Sequence, residues 1–112
     1  RSAPIPVLVD SWKETLRSSG YNAGCPVVAA ALGRNEAPSA ADAAGEVFAG
    51  WQAMIARRLR LEGADTAVAQ SLATTIVAAV EGAVILCLAA QSTKPLDQTV
   101  RMLDTLIVEY TG

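Results

Sequence analysis

The stretch from Leu72 to Ala90 constrains this chain most, because it is almost continuously apolar over the length of a long helix. Its interruptions are Thr74, Thr75, Glu81 and Gly82. A carboxylate in mid-bilayer is costly, so Glu81 favours a buried helix of a soluble protein over a membrane span. We therefore expect no membrane partner, and we expect other helices to cover this segment on every side.

Composition predicts an all-α fold. Hydrophobic residues make up 52% of the 112 residues and aromatic residues only 4%, so alanine, valine and leucine supply most of the apolar content. Alanine is the best helix former and a poor strand residue. The length suits one core, so we predict a single domain over residues 1–112, and the start at Arg1 in place of methionine predicts a fragment.

Charge and residue usage exclude several functions. A net charge of −2 gives no broad positive field for a phosphate backbone. The absence of histidine removes histidine-based triads and most mixed zinc sites, and the carboxylates show no spacing that marks an acid and base pair. Cys25 and Cys87 are far apart, match no metal-ligand spacing and suit a reducing cytoplasm. We expect no enzyme, no metal and no cofactor.

Apolar residues at helical spacing predict five helices, at about 7–19, 26–33, 39–62, 65–91 and 95–110. Ser39 and Asp42 resemble a capping box at the start of the third helix, and Asp65 is placed to cap the fourth. The short connection before Pro95 predicts that the last two helices run antiparallel.

Small residues on the fourth predicted helix predict a docking surface for another helix. A second copy of the last two helices would cover this surface, since symmetric dimers are the commonest oligomers. The alternative is a monomeric bundle that covers it with its own helices. The predicted interface consists of Leu72, Ala79, Gly82, Ala83, Leu86, Leu103, Ile107 and Tyr110.

Three segments in order carry a family resemblance: Gly24-Cys25-Pro26-Val27, Phe48-Ala49-Gly50-Trp51, and Glu81-Gly82-Ala83 followed by Gln91-Ser92-Thr93-Lys94-Pro95. Along roughly 20–107 the chain resembles the C-terminal domain of TetR/AcrR repressors of the LmrA/YxaF-like branch. The resemblance implies a homodimer whose last two helices form a four-helix bundle, and an effector pocket in each subunit. It also implies repression relieved by a small ligand, with DNA bound only by an N-terminal helix-turn-helix absent from this sequence.

The predicted ligand is an apolar or aromatic small molecule, because the candidate pocket residues are mostly apolar with a few polar groups. They are Trp12, Phe48, Trp51, Gln52, Met54, Ile55, Val77, Glu81 and Ile85. Ordinary core packing is the alternative for each apolar member, and a helical dimerisation module without a ligand is the alternative for the whole chain.

Glu81 is the polar candidate whose partner the sequence leaves open. Relatives of this branch often carry an arginine seven residues after this glutamate, where this chain has Leu88. A buried carboxylate without a partner is costly or becomes protonated. We therefore predict that Glu81 either pairs with a side chain from another helix, such as Arg57 or Arg58, or faces water or ligand.

Overall fold

The computed structural model describes residues 4–20 and 24–112, with side chains described at positions 10, 12–20 and 24–112. These residues form five helices: α1 (Pro4–Ser18), α2 (Pro26–Leu32), α3 (Pro38–Leu61), α4 (Thr66–Ala90) and α5 (Lys94–Thr111). Within the described residues there is no strand. The predicted all-α fold is confirmed.

Proline lies at the first or second position of four of these helices, as Pro4 in α1, Pro26 in α2, Pro38 in α3 and Pro95 in α5, because its fixed φ and missing N–H suit the first turn. The predicted capping box is wrong. The third helix begins one residue earlier, after Ala37 and without a side-chain cap, and the Asp42 carboxylate instead pairs with Arg34 at 2.9 Å. Asp65 does occupy the N-cap position of α4, but its side chain makes no capping hydrogen bond.

Tight connections join the long helices. Gln91 ends α4 in the left-handed conformation, with φ 55°, and the antiparallel α5 begins at Lys94. Gly63, with φ +110°, follows α3, and a Cβ there would lie 3.0 Å from the Thr111 carbonyl oxygen. Glycine is therefore required both for the backbone conformation and for the close approach of α5.

The core lies along one side of α4. Its largest fully buried side chains include Leu16 of α1, Ile76 and Val84 of α4, and Leu96 of α5. The C-terminal half of α3 contributes Ile55 and Leu59, and an ion pair between Lys13 and Asp97 ties α1 to α5. The chain measures 40 × 32 × 16 Å, so it is thin along one axis, and α4 side chains such as Ile85 and Leu86 remain exposed.

Among the described residues, α4 is the helix that is long and apolar enough to cross a membrane. The core helix of a soluble protein has the same length and composition, and α4 carries eight of the buried core residues: Ala69, Leu72, Ala73, Ile76, Val80, Ala83, Val84 and Cys87.

Candidate functional site

One exposed polar contact joins α3 to α4. The Gln52 Nε2 atom donates a hydrogen bond to Thr74 Oγ1 at 2.8 Å. Val77 and Glu81 follow Thr74 at helical spacing on α4, and we call these three residues the α4 stripe. The contact places Gln52, a predicted pocket residue of α3, against the first residue of this stripe.

Phe48 and Trp51 form an aromatic pair on α3. Their ring centroids are 5.4 Å apart and the rings are nearly perpendicular, at 83°, which is the favoured edge-to-face arrangement. Both side chains remain partly exposed. Trp51 is therefore not packed on all sides, and it offers a flat apolar surface next to Gln52.

The other predicted pocket residues divide by exposure. Trp12 and Val77 are partly buried and pack against the core. Ile55 is buried in that core, so it would support the residues that line a pocket without contacting the ligand itself. Met54 and Ile85 are exposed by 58% and 54%, so they would bind a ligand only at the surface of the subunit.

Glu81 contacts the beginning of α2. The Cys25 thiol donates a hydrogen bond to Glu81 Oε2 over 3.5 Å. The other carboxylate oxygen, Oε1, is buried and has no hydrogen-bond partner among the described residues. Next to this contact, a Cβ on Gly24 would lie 3.3 Å from Leu88 Cδ1, so Leu88 packs closely against the chain leading into α2.

The predicted pairing of Glu81 with Arg57 or Arg58 is wrong. Arg58 Nε instead donates to Glu62 Oε2 at 2.7 Å, one helical turn away on α3, and Arg57 is exposed. No ion pair found among the described residues includes Glu81. The other sequence prediction, that Glu81 faces water or ligand, remains.

Burial controls the protonation of both groups. Desolvation raises the pKa of the Glu81 carboxyl, and the Cys25 hydrogen bond opposes this only in part. Burial also raises the pKa of the Cys25 thiol; the backbone N–H groups of Val28 and Val27 lower it, and the Glu81 charge raises it further. The thiol therefore remains protonated and acts as the donor.

Replacing Glu81 with leucine should stabilise the fold. A buried acceptor without a partner costs about 1–3 kcal/mol, so we expect Glu81→Leu to raise the free energy of unfolding by about 1–2 kcal/mol at about pH 7. Because the folded-state pKa of Glu81 is raised, the folded state takes up its proton first as the pH falls. The wild type should therefore gain stability relative to the variant toward about pH 5.

Urea denaturation at fixed protein concentration measures both effects. Glu46→Leu is the control, because Glu46 is exposed on α3 and such a substitution changes stability by less than about 0.5 kcal/mol. A variant less stable than the wild type at neutral pH would show that the Glu81 carboxylate supports the fold.

The predicted interface residues lie in two environments. Leu72, Ala83, Leu103 and Ile107 are buried in the core of the chain, where their side chains pack against its own helices. Ala79 and Gly82 are partly exposed, and Leu86 and Tyr110 are exposed by 57% and 45%.

Two apolar residues that the sequence prediction omitted lie at helical spacing with Tyr110 on α5. Met102 is 63% exposed and Leu106 partly exposed. We call Ala79, Gly82, Leu86, Met102, Leu106 and Tyr110 the α4–α5 outer face. These residues lie beside the buried sides of α4 and α5, and Ala79 and Leu106 also pack against the edge of the core.

Comparisons with known proteins agree on one family. The family described as "Transcriptional regulator LmrA/YxaF-like, C-terminal domain" matches residues 3–102. Two curated proteins of Mycobacterium tuberculosis, from strains CDC 1551 / Oshkosh and ATCC 25618 / H37Rv, are each named as an uncharacterized HTH-type transcriptional regulator. Each is 30% identical over 111 residues, which cover 93% of this chain but 57% of the relative. The chain thus spans little more than half the length of these relatives. No solved structure matches it significantly.

Proposed function

Because this chain belongs to the C-terminal domain family of LmrA/YxaF-like transcriptional regulators, we propose that it senses a small molecule and dimerises with a second copy of itself. Residues 1–112 then act as one effector-binding and dimerisation domain. The family is described as one of transcriptional regulators, and we expect no catalytic activity from this domain. DNA binding belongs to a helix-turn-helix domain in the N-terminal part of the whole protein, which works in the cytoplasm.

The α4–α5 outer face supports the dimer. Leu86, Met102 and Tyr110 each expose about half of their side chains or more, and exposed apolar side chains that form one patch favour an interaction site. Gly82 leaves open space, since no heavy atom lies within 4 Å of a Cβ built on it. A second helix pair related by two-fold symmetry would cover this face and form a four-helix bundle.

The partly exposed Phe48–Trp51 pair is the observation that carries the ligand proposal. An apolar or aromatic molecule would lie against these rings and against the α4 stripe that Gln52 joins to α3. Ligand sites combine apolar and aromatic surface with a few polar groups, and Gln52 and Glu81 are the polar groups here. Binding would hold α3, α4 and the start of α2 in one arrangement. In the proposed dimer, this change would alter the distance between the DNA-binding domains of the two chains.

A dimerisation module without a ligand is the second candidate. It is favoured by the burial of Ile55, which belongs to the well-filled core and not to an accessible surface. Only a binding measurement distinguishes the two functions.

Replacing Trp51 with alanine should weaken ligand binding at least about tenfold, because the indole ring supplies the largest apolar contact. A thermal-shift screen of hydrophobic aromatic compounds would first identify a ligand. At a hundredfold excess over its Kd, the ligand should stabilise the fold by about 2.7 kcal/mol. Quenching of tryptophan fluorescence would then give Kd, with Trp12 as the reporter in Trp51→Ala.

Leu61→Ala is the matched control for this measurement, because Leu61 lies on the same helix and is 73% exposed. It should bind the compound as the wild type does. If no compound in the screen stabilises the protein, or if Trp51→Ala binds as tightly as the wild type, the dimerisation module is the better description.

A further inference from the structure

Glu81 Oε1 is a buried acceptor without a partner in the described part of the chain. Buried polar atoms are nearly always hydrogen-bonded, so an exception requires an explanation such as a bound ion or molecule. The adjoining Oε2 atom already accepts a hydrogen bond from Cys25. The carboxylate is therefore held in place on one side and has an unused acceptor on the other.

No salt bridge found in the described part of the chain reaches Glu81. Three cationic side chains are engaged elsewhere, in the pairs Lys13 with Asp97, Arg34 with Asp42 and Arg58 with Glu62. A thiol is a weak donor, so the Cys25 contact leaves most of the negative charge uncompensated. A positively charged donor carried by a ligand would satisfy Oε1 and compensate this charge.

We propose that the effector of this domain carries a protonated amine on an apolar aromatic body, and that its ammonium group donates to Glu81 Oε1. The inference rests on the proposed small-molecule function and specifies the chemical class of the ligand. Its basis is the buried, unpartnered oxygen next to a fixed thiol donor.

The surroundings of Glu81 suit such a molecule. Val77 and Leu88 share its side of α4 and are partly buried, so they would contact the apolar body. A hydrogen bond between an ammonium and a carboxylate is roughly twice as strong as one between neutral groups. A neutral alcohol would therefore bind more weakly, and an anionic ligand would be repelled.

Three probes on one naphthalene body test the inference: naphthylmethylamine, naphthalenemethanol and naphthoate. Isothermal titration of the wild-type protein at neutral pH should show that the amine binds at least about tenfold more tightly than the alcohol, with the acid weaker than both. This ranking needs no variant, so it does not depend on how well a mutant folds.

Glu81→Gln should reduce the preference for the amine to less than about threefold while retaining the affinity for the alcohol. Glu46→Gln is the matched control, because it removes an exposed carboxylate from α3 and should preserve the ranking. Circular dichroism would confirm that both variants are folded.

The possible failures are distinguishable. If the alcohol or the acid binds the wild type as tightly as the amine, the ammonium inference is overturned and the small-molecule function stands. If the amine preference persists in Glu81→Gln, another group supplies it and the assignment to Glu81 is overturned. If none of the three probes binds, both the inference and the proposed pocket for aromatic ligands are contradicted.

Discussion

Replacing Leu86 with arginine should separate the proposed dimer into folded monomers. Leu86 is 57% exposed in the subunit, so the substitution leaves the core intact. In a symmetric dimer, however, two arginines would be buried at one interface without partners. Burial of an unpaired charge costs several kcal/mol, so we expect the dimer Kd to rise by about two to three orders of magnitude. Sedimentation velocity at micromolar concentration measures the change in mass.

Two further variants make this result specific. Leu61→Arg places the same charge at an exposed leucine of α3, outside the α4–α5 outer face, and should leave the mass unchanged. Leu86→Ala removes contact area without adding charge, and should raise the dimer Kd by about tenfold. A Leu86→Arg protein that remains dimeric would place the interface elsewhere.

Periodicity and turn chemistry were sufficient to predict the five helices and their order. The apolar repeat spans about three or more turns in each long helix, and proline and glycine mark where helices begin and end. The exact ends of the helices depend on which neighbouring residue occupies the first turn and on which partner each side chain binds. Pro38 begins α3 one residue before the predicted cap, and Asp42 is engaged by Arg34 instead of by the helix N-terminus.

The candidate site was less predictable because its main contact joins distant segments. Cys25 and Glu81 are 56 positions apart, and nothing in their local sequence pairs a thiol at the start of a short helix with a carboxylate in a long one. The family resemblance marks Glu81 as unusual, because this chain has Leu88 where relatives often carry an arginine that could pair with the glutamate. Only the packing of α2 against the rest of the bundle identifies Cys25 as its donor.

The predicted interface contains Leu72, Ala83 and Leu86, because the spacing of residues on an almost uniformly apolar helix does not show which side packs inward. These three residues occupy neighbouring positions around α4, yet the first two are buried in the chain and the third is exposed. The direction from which α5 and α3 pack decides which residues a subunit covers itself. That direction depends on tertiary packing, and the spacing of apolar residues does not specify it.

Replacing Ala83 with arginine should therefore unfold the subunit, not merely dissociate it. Ala83 is 2% exposed within the core of its own subunit. A long side chain there would overpack the core, at about 1–3 kcal/mol, and would bury an unpaired charge, at several kcal/mol more. Together these costs approach the whole stability of a small domain, about 5–15 kcal/mol. We expect loss of the cooperative thermal transition and of most helical circular dichroism.

Gly82→Arg is the matched control, one residue away on the same helix. Because no heavy atom lies within 4 Å of a Cβ at Gly82, the larger side chain can extend from the outer face without disturbing the core. This variant should keep its helical signal and its cooperative transition, but sediment as a monomer. If Ala83→Arg instead gave folded monomers, Ala83 would face the partner as the helical wheel suggests, and the packing of α5 against α4 would have to differ.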